Sequence, residues 1–147
     1  MVVTKNTIQE QLGILVRNAL RLDATVLAFN STVTAQNWIF LGRPKDHQKT
    51  FPVPRIVVEP IDEVRENVTV DNQKQIFVPY IVNAWLDMDA QLDSFKLGDA
   101  MGAAVQTIDG TNNIHEIEVI GFSNTSEPTD NRVLNHIVSR VQVDWRE

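Results

Sequence analysis

The chain has 147 residues, 43% of them hydrophobic and 22% charged, which excludes a wholly disordered or fibrous chain and suits one domain able to bury a core unaided. With 13 basic against 19 acidic residues the net charge is -6 and no basic run exists; since neutralised phosphates dominate nucleic-acid affinity, this speaks against a nucleic-acid binder. The absence of cysteine removes disulfides, thiol nucleophiles and thiolate metal sites, and fits a reducing compartment. Residues 1–6 carry no long apolar run, and no stretch approaches the roughly 20 apolar residues of a membrane span, so a cytoplasmic protein is expected.

From Thr7 the apolar residues Ile8, Leu12, Leu15, Val16, Ala19 and Leu20 form a helical stripe that breaks near residues 21–23, and Thr7 with Glu10 has the spacing of a capping box. Residues 26–29 and 38–41 look like short strands joined by a polar connector. Segment 42–54 holds three of the six prolines with Lys45, Asp46, His47 and Lys49, and is expected to be a loop or extended arm. Residues 54–60 predict a short buried strand bracketed by proline.

Segment 62–72 is charged and predicts a second exposed stretch, a hairpin tip. Residues 75–86 alternate clearly: Ile76, Val78, Tyr80, Val82, Ala84 and Leu86 point one way and Trp85 the other, to be covered by another layer or by a partner. Pro79, in the middle, predicts an edge position or a bulge. Leu92, Phe95, Ala100, Met101, Ala104, Val105 and Ile108 form a second helical stripe, with Asp87 or Asp89 as N-cap and Gly110 beyond its end. Gly98 and Gly102 within it suggest close packing against another backbone. Residues 114–122 and 132–145 predict two strands around a polar loop, 123–131. Val133, Ile137, Val141, Val143 and Trp145 share one face of the last strand, and Arg140, Gln142 and Asp144 the other. The order predicts an α+β fold: a mixed or antiparallel sheet with two main helices on one face.

Chemistry is harder to find. His47, His115 and His136 lie far apart without a second ligand at metal spacing, and His115 points away from Glu116 and Glu118 in a strand. Asp87, Asp89 and Asp93 suit helix capping better than a cation site or a carboxylate pair, for no calcium-type loop accompanies them. The scattered glycines write no phosphate loop, and no serine sits in a nucleophile elbow. No catalytic residue, metal or cofactor is assigned, and function is expected to lie in the surfaces.

Four features carry a family resemblance. They are the helix ending Val16-Arg17-Asn18-Ala19-Leu20; Trp38-Ile39-Phe40-Leu41-Gly42 leading through a proline-rich loop to Pro54-Arg55-Ile56-Val57-Val58; the strand over 77–86 feeding a helix from Ala90; and the closing Arg140-Val141-Gln142-Val143-Asp144-Trp145. Together these make the chain resemble the tail terminator (tail completion) proteins of long-tailed bacteriophages. Pro79 and the polar segment 123–131 have no counterpart in that pattern. The resemblance implies a structural virion protein, not an enzyme, forming a ring, hexameric in type, that caps the head-proximal end of the tail tube. Its partners would be itself, the tube protein and a head-closure or neck protein, with DNA only passing through the lumen and no membrane; assembly would occur in the host cytoplasm. Loops 42–54, 62–72 and 123–131 would make the contacts, with Trp38, Arg43, Lys45, His47, Arg65, Trp85, Glu127 and Arg132 as interface residues. The alternatives are a head-completion or connector subunit of the neck, and a small α+β ligand-binding domain or enzyme with a pocket near Tyr80 or Trp85.

Overall fold

In a computed structural model that describes residues 5–48, 51–61, 63–68, 70–87, 91–128 and 132–147, the chain opens with helix α1, Lys5–Leu22. Its stripe buries Ile8, Leu12, Val16, Ala19 and Leu20, the amphipathic face that the spacing predicts. Thr7 lies inside the helix, so the expected capping box with Glu10 does not form its start. Gly13 lets α1 come down on the sheet, because a Cβ there would meet Leu41 Cδ1 at 3.1 Å and Tyr80 Cε1 at 3.3 Å. The buried Tyr80 hydroxyl donates to the Gln9 carbonyl of the same helix, and burial raises its pKa above the usual tyrosine value.

Residues 24–30 correct an expectation. Instead of a strand at 26–29 there is a helical turn, α2 (Ala24–Leu27), running into a 3-10 turn (Ala28–Asn30). The reason is local: Asp23 is an N-cap whose side chain accepts a hydrogen bond from Val26 N at 2.9 Å, and this outweighs the β preference of Thr25 and Val26.

The strands are β1 (Ile39–Leu41), β2 (Arg55–Pro60), β3 (Arg65–Val68), β4 (Lys74–Asp87), β5 (Ile114–Pro128) and β6 (Val133–Arg146), and α3 (Gln91–Gln106) lies between β4 and β5. They form one sheet in the order β1-β2-β4-β6-β5, with β3 also pairing β4; β1 runs parallel to β2 and every other pair is antiparallel. This mixed sheet with its helices agrees with the expected α+β class.

Pro79 lies neither at an outer edge nor in a bulge, for β4 is an inner strand whose register with β6 is unbroken. On the other side of β4, β2 pairs with residues 80–85 and β3 with residues 74–77, and Pro79 falls between them. Its carbonyl accepts from Ile61 N at 3.3 Å. Since the N and O of one strand residue point to the same side, the missing N–H faces the junction of β2 and β3, and the β6 ladder loses nothing.

The charged segment 62–72 forms the exposed hairpin expected there, β3 pairing antiparallel with β4, whereas the polar loop expected over 123–131 is largely strand. Residues 123–128 continue β5 in register with 133–138, only 129–131 of that segment lying outside the described residues. Gly121, with φ of +124°, sits in the register shift between Val119 and Phe122, where the strand bulges and then resumes pairing.

The main core lies between the sheet and its helices. It joins the α1 stripe and Leu97, Met101, Ala104 and Val105 of α3 to Ile56, Val58, Val82, Ala84, Leu86, Val141 and Val143. Phe95, expected in the α3 stripe, is 46% exposed, and Leu97 takes the buried place. Gly102 would meet only a Val119 side-chain carbon at 3.8 Å, an ordinary contact rather than a backbone approach. Val133, expected on the core face of β6, is exposed near the hairpin tip. Asp87 ends β4, while Asp89 and the Leu92 side chain lie outside the described residues. Among the described residues no helix is long and apolar enough to cross a membrane.

Candidate functional site

Because side chains alternate along a strand, the residues of β4 between the core positions stand on the face away from the helices. Trp85 is one of them and is 1% exposed. What covers it comes from the same chain: the arm after β1 folds back across this face, and Phe51, Val57, Trp85 and Leu134 form a second apolar cluster with Phe40 and Val53 against it.

Aromatic rings converge on the Trp85 indole. His136 of β6, opposite it in register, stacks on it with centroids 4.6 Å apart and planes 12° apart. His47, from the 3-10 turn Lys45–Gln48, meets it edge-on at 4.6 Å and stacks on Phe51 at 4.7 Å. The Trp85 Nε1–H donates to Glu127 Oε2 at 2.8 Å, so the indole is fixed at both its ring and its polar tip.

Charge pins the arm to the sheet. Arg55, 3% exposed, forms a two-point pair with Asp46, Nη1 to Oδ1 at 2.9 Å and Nη2 to Oδ2 at 3.0 Å, and its guanidinium lies 4.5 Å from the Phe51 ring centre. The Arg55 hydrogen bonds hold the Asp46 carboxyl below its usual pKa. Arg132 Nη2 donates to the Phe51 carbonyl, and Arg43 lies 5.9 Å from the Trp85 ring centre.

A polar chain runs beside the rings. Arg43 Nε pairs with Glu59 Oε1 at 3.0 Å, Asn83 Nδ2 donates to the same oxygen at 2.8 Å, Asn83 Oδ1 lies 2.9 Å from His136 Nε2, and His136 Nδ1 is 2.8 Å from Glu127 Oε2. Both ring nitrogens of His136 face oxygen, which a protonated imidazole satisfies in full. Burial works against that and holds its pKa below the ordinary value, with Glu127 and Glu59 raising it and Arg43 lowering it. The His47 pKa is also lowered, by burial and then by the cations of Arg43 and Arg55.

Of the residues the sequence singled out, the fold brings together Arg43, His47, Trp85, Glu127 and Arg132. Trp38 is a correction: it is 2% exposed in the main core, so it offers the surface nothing. Lys45 is exposed on the arm's 3-10 turn, and Arg65 lies on β3 at the other end of this face. His115 is exposed at a register shift in β5, away from the other histidines. Sequence reasoning passed over Arg55, Phe51 and Asn83 for this site, and weighed His136 for metal binding rather than for a stack on Trp85. The alternation that placed Trp85 also places Asn83 on its face; nothing in a single strand pattern foretells the arm that crosses it. Among the described residues no cluster of His, Asp and Glu has the makings of a metal site.

No protein-family model matches this sequence, and no curated protein matches it either.

Proposed function

We propose that this chain is a structural subunit of a bacteriophage virion, a tail-terminator-like protein that forms a ring on the head-proximal end of the tail tube and joins it to the neck. The observation that carries this reading is that the sheet has two unlike borders. At one border stands β1, three residues long and parallel to its neighbour; at the other stands β5, 15 residues long, whose outer edge pairs with no strand among the described residues. A closed head-to-tail ring needs two different patches on each subunit, and an open strand edge is a template for another chain.

A hexamer is the stoichiometry that the family resemblance implies, with the tube protein on one side of the ring and a neck protein on the other. The net charge of -6 suits a lumen through which duplex DNA must slide without being gripped. Electron microscopy of the protein, alone and mixed with tail-tube protein, tests the reading. Rings, and tubes stopped at a capped end, are expected. A chain that stays monomeric with the tube protein and leaves tube growth unchecked rejects it.

A further inference from the structure

The arm covers one end of the helix-free face. Toward the other end, the same face holds a cavity of about 500 Å³, within the usual range for binding pockets. Phe77 and Pro79 of β4 line it together with Arg65 of β3, Arg140 and Gln142 of β6, and Glu63. The Arg65 guanidinium lies 5.4 Å from the centre of the Phe77 ring and, among the described residues, makes no ion pair. Arg140 pairs with Glu63 at 2.9 Å, but the two side chains are 45% and 61% exposed, so the pair is weak and Arg140 can turn to a better acceptor.

The covered end shows what this kind of surface accepts. There a guanidinium, Arg55, and a sheet aromatic, Trp85, are met by a carboxylate, Asp46, and a ring, Phe51, both carried by one segment of chain. The open end repeats the receiving half of that arrangement, with Arg65 and Arg140 as cations and Phe77 as the ring. We propose that this pocket docks a segment of a partner protein that carries a carboxylate beside an aromatic side chain, the carboxylate taken by Arg65 and Arg140 and the ring laid against Phe77 and Pro79. The proposal goes beyond the ring reading and does not rest on it, since it concerns what the pocket binds and not what the assembly is.

The full chain, labelled for amide NMR, is titrated with the blocked dipeptide N-acetyl-glutamyl-phenylalanine amide, its glutaminyl counterpart, and phenylacetate. Shifts gathered around Phe77 and Arg140 are expected with the glutamyl peptide. Losing a charge-assisted hydrogen bond should make the glutaminyl peptide and the Arg65→Gln variant each bind about tenfold more weakly, or worse. Arg65→Lys, which keeps the charge and loses the fork, serves if the first variant loses its thermal transition, and should also bind more weakly. Equal affinity for the two peptides, an affinity unchanged in the Arg65 variants, or no shift at millimolar peptide overturns the proposal. So does binding of phenylacetate without the peptide, which would make this a site for small acids. Because no ring is needed for the titration, its failure leaves the assembly reading to be judged separately by microscopy.

Discussion

Trp85 and Phe77 stand on the same strand and the same face, about 27 Å apart along it at a strand's usual rise. One is sealed beneath the arm with a two-point ion pair beside it; the other is half-buried beneath an arginine that no carboxylate reaches among the described residues. The difference does not come from the strand, which alternates evenly throughout, but from whether a distant segment returns to cover it. One sheet face thus carries a finished half that holds the chain together and an open half free to hold something else.

Substitutions at the two rings should break or confirm that asymmetry. Trp85→Ala removes a buried ring and should cost about 3–5 kcal/mol in urea unfolding, whereas Phe77→Ala should cost about 1 kcal/mol. Equal losses would mean that both halves serve stability alike. Next in size, Asp46→Ala strips the buried Arg55 of its acceptor and should cost about 2 kcal/mol, against a change within about 0.5 kcal/mol for Arg65→Gln at the open end. A neutral Asp46→Ala would show that the arm is held by its rings alone.

The smallest effect should be the dependence on acid. Since the His47 pKa is lower in the folded chain, the unfolded chain takes up the proton first; the stability present above the ordinary histidine value of about 6.5 is lost as pH falls through the folded value. Urea midpoints should therefore drop on acidification, and His47→Phe, which keeps a ring there, should flatten part of that drop. His136, also lowered chiefly by burial, accounts for a further share. A slope untouched by His47→Phe would show that His47 contributes nothing to the acid dependence.

How far the sequence foretold this arrangement depends on the range of the forces involved. The α1 stripe and the β4 alternation were legible because each is a periodic pattern imposed by a single large core, and the same alternation put Trp85 on the far face. Residues 26–29 read as a strand from sequence, yet one hydrogen bond accepted by the Asp23 side chain outweighs two β-branched residues. Segment 123–128 reads as a loop because it is the exposed far end of a hairpin, polar on both sides and held by its ladder to β6. The arm was recognised as an arm, but its destination was hidden: Asp46, His47 and Phe51 have no period, and their partners lie on strands far along the chain.

Tyr80 is the only tyrosine in the sequence, and its hydroxyl is buried beneath α1 on a carbonyl of that helix. Phenolate absorbs ultraviolet light that the neutral phenol does not, and this phenol can ionise readily only once the helix has lifted from the sheet. In an alkaline jump, the growth of that absorbance would time the departure of α1. The protein thereby carries a built-in spectroscopic clock for the undocking of its first helix, with no label added.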